Sequence, residues 1–278
     1  MLITSSVQII PQEPGILGVY KQIEIGGRTA YKSEDRITED SAIKFVNMLI
    51  ERGHTAPLEQ GTIYLQYLAH CGNLDEISIY FDLYRRYKTN SYSKVFKRTD
   101  DSTGDSIIYI TTNARVIYEN EWQNDLLFIC EPTEYHEKRI TVKFICSRSI
   151  SHELVRHRAF SFVQESQRYC NYSKDKFGEH VTFIEPSWHT TETYEEDDIF
   201  LNACITAEEK YFELLNKGYK PQEAREVLPN ATKTEVVMTG FVSQWEEFFK
   251  LRCAKSAHPD MQIIANDLKY QFIQNGII

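Results

Sequence analysis

No run of 18 or more apolar residues occurs in these 278 residues, which excludes a helix that crosses a membrane. The first residues, MLITSSVQIIPQEPG, carry neither a basic region nor a long apolar core. A secretory leader is therefore not expected, and a cytoplasmic location is. Cysteine is sparse and scattered: the six stand at 71, 130, 146, 170, 204 and 253, with no CxxC pair. That spacing excludes a zinc ribbon and a redox dithiol, and points to reduced, mostly buried thiols. GxGxxG and GxxxxGK[ST] are both missing, which removes a dinucleotide-binding turn and a P-loop. His152 and His157 lie five residues apart. They are thus about 140° apart around a helix, not on one face as in HExxH, and no metal is expected. No Gly/Ser-rich or Pro-rich linker, compositional break or repeat divides the chain, so one domain over 1–278 is expected. The net charge of −9 argues against a nucleic-acid polymer as partner.

What is present reads as an ordinary globular chain, 42% hydrophobic and 26% charged. It is long enough to bury a core without disulfides or metal. Pro11, Pro14 and the pair Gly26-Gly27 suggest short strands and turns over 1–30. A helix over 38–52 is expected, capped by Thr38, with Ile43, Val46, Leu49 and Ile50 as its apolar stripe and Gly53 at its end. Strands are expected over 61–69, 107–112, 139–146, 180–184 and 232–239, where β-branched and aromatic residues dominate or alternate with polar ones. Helices are expected over 113–120, 122–130, 149–158 and 192–217, with a loop over 159–176. Pro221 suits the first turn of another short helix. A capping box at Ser243-Gln-Trp-Glu246 predicts a helix through Arg252, and Pro259 opens a last helix to about Gln274. Strands and helices mix without a regular βαβ rhythm, so the class expected is α+β, with a mixed sheet flanked by helices.

Charge is uneven. Residues 138–176 hold nine Lys or Arg against three Asp or Glu. Such an island in an acidic chain suits a compact anion better than a polymer, although a merely solvated basic face would look the same. Within it stand Arg156-His157-Arg158 and, seven residues on, Ser166-Gln167-Arg168-Tyr169. Arginine forks donate in pairs to phosphate, and Ser166 can complete a cradle. Arginines at a helix end can instead bond the last carbonyls.

The string RHRAFSFVQES followed by QRY resembles the RHR-x7-S motif of the flavin-dependent thymidylate synthases, the ThyX family. Three further blocks follow the family's order: His54-Thr-Ala-Pro-Leu-Glu59, Ala224-Arg225-Glu-Val-Leu-Pro229-Asn-Ala-Thr, and Trp245 through Arg252. The resemblance covers about 40–70 and 139–270, and leaves 71–138 as a variable stretch. It implies a ThyX-like α+β fold in a homotetramer with shared active sites. The reaction implied is reductive methylation of dUMP to dTMP, with methylenetetrahydrofolate as carbon donor, FAD as cofactor and NADPH as reductant. No enzyme cysteine attacks the pyrimidine in that reaction.

The resemblance also implies roles. Arg156, His157 and Arg158 contact flavin, with Arg156 near the nucleotide as well. Gln164 touches both FAD and dUMP. Ser166, Gln167 and Arg168 form the dUMP loop, and Arg225 binds the nucleotide. Arg252 polarises the uracil. Glu153 falls on the pyrimidine side, and His54 near flavin and folate. Two of these have local alternatives: Glu153 can pair with Arg156 three residues on, and His54 can simply end a helix. After Gly240, many relatives place Asn and, two residues later, Arg against FAD, where this chain has Phe241 and Ser243. That departure keeps open an inactive or altered flavin- or nucleotide-binding relative. A different class, an RNA-binding module using the basic island with Phe160, Phe162 and Tyr169, is opposed by the overall charge.

Overall fold

Alternation along RITVKFICS turns Val142, Phe144 and Cys146 to the core and Lys143 to the other face of a strand. That strand organises the largest sheet. In this computed structural model, which describes residues 1–168, 170–173, 178–189 and 198–278, the chain begins with β1 (Leu2–Ile3), β2 (Ser6–Ile10), α1 (Gly15–Tyr31) and α2 (Ser41–Glu51). It continues through β3 (Thr62–Ala69), α3 (Leu74–Thr89), β4 (Lys94–Thr99), β5 (Ser106–Asn113) and α4 (Ala114–Glu119). Next come β6 (Arg139–Ser147), α5 (Arg148–Leu154), β7 (Ser161–Gln164), β8 (Phe183–Ile184) and α6 (Ile199–Asn216). The chain closes with α7 (Pro221–Ala224), β9 (Lys233–Phe241), α8 (Val242–Arg252) and α9 (Pro259–Gln274). Among the described residues, no helix is long and apolar enough to cross a membrane.

The class is α+β, but the sheets are not mixed. β2-β6-β9-β7 form one antiparallel sheet and β3-β5-β4 another, while β1 and β8 make a short parallel pair. β9 lies between β6 and β7, and its residues from Thr234 to Phe241 are all buried. One core packs Val142, Phe144, Val236 and Met238 against Trp245, Phe248 and Phe249 of α8 and Ile264, Leu268 and Phe272 of α9. A second core joins α1 to α4 with the three-stranded sheet, and a third lies under α6. The variable stretch 71–138 therefore builds much of the second core. Asn73 caps α3 by accepting the Glu76 N–H (3.3 Å), and Tyr80, Leu83 and Tyr87 form its buried stripe.

Several expectations are corrected. Residues 15–31 are helix, not strands and turns. Gly26 and Gly27 are contact points rather than breaks: a Cβ at 26 would stand 2.9 Å from Gln60 Cγ, and one at 27 would stand 2.6 Å from Phe45 Cε1. Helix 38–52 starts at Ser41 rather than after a Thr38 cap. Residues 123–128 form a 3₁₀ turn, not a helix over 122–130. The helix from 149 stops at Leu154, and 161–164 are strand rather than loop because β9 offers them a free edge. Ser243 lies inside α8. The turn is closed instead by the Phe241 N–H donating to Gln244 Oε1 (2.8 Å), while Ser243 Oγ bonds Glu137. The expected helix start at 192 lies outside the described residues, and helix is described from Ile199. All six cysteines are free thiols: Cys146, Cys170 and Cys204 are buried, and Cys71 is exposed.

Candidate active site

The C-terminal end of α1, the start of α5 and the segment after β7 meet at one cleft. Ser147 caps α5 by accepting the Ile150 N–H (3.3 Å), which sets Arg148 at the first helical position. After β7 the chain is held twice: the Glu165 N–H donates to Glu235 O (2.8 Å), and the Ser166 N–H to Ala30 O (3.0 Å). The result is a cleft of about 340 Å³ lined by Ala30, Tyr31, Arg148, Gln164, Glu165, Ser166, Gln167, Arg168 and Arg225. That volume lies at the lower end of the range of small-molecule sites.

Three guanidinium groups share this cleft. Burial, and with it the charge of Arg225, holds Arg148 below the ordinary arginine value, while Tyr172 and Glu165 act the other way. Two cations in one half-buried place repel each other unless an anion lies between them. Gln164 is fixed by donating to Ser151 Oγ (3.0 Å) and Thr234 Oγ1 (3.2 Å). Gln167 is buried and hydrogen-bonds the Tyr172 phenol.

An ion-pair network supports the loop. Glu235, 5% exposed, pairs with Lys32 (2.6 Å), Lys143 (2.5 Å) and Lys233, and Lys233 also meets Glu165 (2.9 Å). Burial alone would raise the Glu235 carboxyl, but the three ammonium groups bring it down to about 2. Lys32 is correspondingly pushed up to about 12, its burial being outweighed by Glu235.

Arg252 occupies a second locus. Trp245, Phe248 and Phe249 bury one face of α8, and Arg252 follows Phe248 by four residues on that face. Its Nε–H donates to His157 Nε2 (2.8 Å), Nη1 to Glu153 Oε2 (2.8 Å) and Nη2 to the Glu153 carbonyl (2.9 Å). Burial first, then the Arg252 charge, lowers His157 to about 4. The ring is therefore neutral near pH 7 and accepts from Arg252. Phe248 lies 5.0 Å from the His157 ring.

The expected site residues thus fall into groups. Gln164, Ser166, Gln167, Arg168 and Arg225 come together in the cleft. Glu153, His157 and Arg252 come together beside α8, so Glu153 pairs with Arg252 rather than Arg156. Arg156 and Arg158 are exposed, and neither guanidinium has a hydrogen-bond or ion-pair partner among the described residues. His54 does not line the cleft. It is exposed at the end of α2, where its N–H donates to Leu49 O (2.9 Å) after Gly53 at φ +67°. Tyr169, Lys174 and Lys176 lie outside the described residues.

Sequence reasoning counted Arg148 in the basic island without singling it out. It missed Ala30 and Tyr31 because α1 was not visible. His189 is bracketed by Glu185 (2.9 Å) and Asp198 (2.7 Å). No cluster of three or more His, Cys, Asp or Glu suited to a metal ion occurs among the described residues.

Comparison with known proteins places the chain among known relatives. The family model described as "Thymidylate synthase complementing protein" matches residues 106–275. A flavin-dependent thymidylate synthase from Geobacter sulfurreducens is 33% identical over 122 residues, 44% of this chain and 50% of that protein. One from Corynebacterium efficiens is 36% identical over 132 residues, 43% of this chain and 51% of that protein. The chain thus spans about half the length of the curated relatives it matches. The crystal structure of the UMP/dUMP methylase PolB from Streptomyces cacaoi aligns over 98% of this chain and 92% of its own. Its 16% identity and TM-score of 0.42 are too low to bear on function. With the family match covering more than half of its length, the chain belongs to the thymidylate synthase complementing protein family.

Proposed function

We propose that the protein methylates dUMP to dTMP, taking the carbon from methylenetetrahydrofolate and its reducing equivalents from NADPH through FAD. The observation that carries this reading is the convergence of Arg148, Arg168, Arg225 and Ser166 on one cleft of nucleotide size. The three arginines and the Ser166 hydroxyl hold the phosphate, and Gln164 and Gln167 orient the nucleoside. Arg252, aimed by Glu153 and His157, stabilises negative charge as it develops on the uracil ring.

The residues present fit a flavin dinucleotide. Arg156 and Arg158 offer two exposed guanidinium groups without hydrogen-bond or ion-pair partners among the described residues, and such forks suit a diphosphate. Bound flavin would supply the hydride that completes the methyl group. His54 is assigned to the flavin and folate side. No cysteine lines the cleft, and burial pushes Cys146 to about 12 and Cys130 and Cys204 to about 11. Thiols so poorly ionised support a route without a cysteine nucleophile. We place the activity in a cytoplasmic homotetramer of single-domain subunits spanning 1–278.

The test is dTMP formation by purified protein with dUMP, methylenetetrahydrofolate and NADPH, with and without added FAD. FAD-dependent dTMP supports the reading. One observation favours a second, a relative that binds nucleotide without turnover. Phe241 is 3% exposed, with Lys94 and Arg139 each 5.6 Å from its ring, and Ser243 is engaged with Glu137. Neither position carries the Asn or Arg side chain that many relatives place against FAD. Binding of dUMP with no dTMP in either condition would select that reading.

A further inference from the structure

Six Lys or Arg and no Asp or Glu stand between Arg85 and Arg98, in a chain of net charge −9. The segment is the end of α3, a turn, and β4, an edge strand of the three-stranded sheet. Two of its cations are used within the fold: Arg85 and Arg86 pair with Asp82, and Arg86 also with Asp125. Lys94 meets Glu137 at 3.7 Å and lies 5.6 Å from the Phe241 ring. Lys88, Lys97 and Arg98 make no ion pair among the described residues.

Aromatic rings lie among these cations. Phe96, 48% exposed, stacks on Tyr135 with centroids 5.5 Å apart and planes 13° apart. Arg98 lies 5.5 Å from the Tyr135 ring and donates to its hydroxyl (2.9 Å). Lys97 sits 4.8 Å over Tyr84. Beside them opens a cleft of about 400 Å³, lined by Lys88, Lys94, Phe96, Tyr109 and Tyr135 among others. Charges on an edge strand guard against strand pairing, which accounts for Lys97 and Arg98. It does not account for the exposed Phe96 ring stacked on half-buried Tyr135 beside them, nor for a cleft where Lys88 and Lys94, with Glu137, lie against Phe96, Tyr109 and Tyr135. Interleaved rings and cations are what single-stranded nucleic acid uses, because every base has a stackable face and every linkage a charge.

We propose that this face binds single-stranded nucleic acid, with bases stacking on Phe96 and Tyr135 and phosphates along Lys88, Lys94, Lys97 and Arg98. The site is separate from the arginine cleft, shares no residue with it, and does not depend on the proposed reaction. It replaces the expectation that no nucleic-acid polymer is a partner.

The experiment is fluorescence anisotropy of the full chain with labelled oligo-rU and oligo-dT of about twelve nucleotides, across about 25–200 mM salt. Four neutralised phosphates predict that log K falls against log salt with a slope of about −3. Phe96→Ala is expected to weaken binding about tenfold, by loss of stacking. Lys97→Glu with Arg98→Glu should remove it at every salt concentration. Equal affinity for rU and dT indicates a single-strand platform blind to the sugar, and a preference for one identifies the natural class. The proposal is overturned by no saturable binding at the lowest salt, by an unchanged Phe96→Ala, or by heparin binding as tightly as the oligonucleotides. dTMP formation by these variants should equal that of the unmodified protein, so failure here is distinguishable from failure of the proposed reaction.

Discussion

Gly27→Ala tests whether the glycines of α1 are there for contact rather than for a turn. The added Cβ would stand 2.6 Å from Phe45 Cε1 and 2.7 Å from Cζ, well inside contact distance. The Phe45 ring cannot move aside easily: it is 6% exposed, and the Arg28 guanidinium lies 4.4 Å from its centroid, held by Glu24 at 3.0 Å. Helix propensity favours alanine by about 1 kcal/mol, but forced overpacking costs about 1–3 kcal/mol. The net expectation is a loss of up to about 2 kcal/mol, or up to roughly 4–8 °C in Tm for a chain of this size. Thermal melting followed by circular dichroism reads the shift. Adding Phe45→Leu should return much of it, because the two substitutions share one contact. A higher Tm for Gly27→Ala alone would refute the reasoning, showing that α1 and Phe45 separate freely. Because α1 ends at the carbonyl that accepts the Ser166 N–H, the variant should also raise KM for dUMP.

Other outcomes follow from the site. Arg148→Ala is expected to raise KM for dUMP about tenfold or more, by loss of a charge-assisted contact. Its Tm without ligand should hold or rise, since burial and Arg225 already disfavour the charge; a fall in Tm with KM unchanged would make Arg148 structural. Arg252→Ala should lose most turnover, and Arg252→Lys should recover little, because an ammonium cannot meet His157, the Glu153 carboxylate and the Glu153 carbonyl together. Wild-type rates in both would remove Arg252 from the mechanism.

The pH dependence of stability has a defined sign. His157, near 4 when folded, stays neutral where the unfolded chain, near 6.5, takes up a proton. Its contribution is therefore complete above about 6.5 and declines as pH falls towards 4. His136, lowered by burial, acts in the same direction. Glu235, near 2, matters only at lower pH, and His70 and His189, both raised, act above 6.5 in the opposite sense. Tm measured from pH 7 to 4.5 should therefore fall less for His157→Asn than for the unmodified chain. Parallel curves would refute the assignment.

Local periodicity and punctuation were enough for β6, whose alternation is complete within nine residues, and for α9, which runs from Pro259 to Gln274 as read. The order of the motif blocks was likewise legible, because family motifs are contiguous strings. Helix α1 was not: the pair Gly26-Gly27 has the same local preference whether it bends a chain or admits Phe45 and Gln60, and only the packed neighbour distinguishes the two. Sheet type was also hidden, since β6 pairs with a strand some ninety residues on and no local pattern names that partner. Arg148 reads in sequence as one cation among nine. It becomes a site residue only because the α5 cap, the Ala30 carbonyl and the 225 turn meet in space. Arg252 is bonded to groups 95 and 99 residues away. The chain's own order determined which residue types were available for the chemistry; which of them face one another was decided by burial of Trp245, Phe248 and Phe249 beneath α8, because apolar packing, not charge, sets where that helix ends.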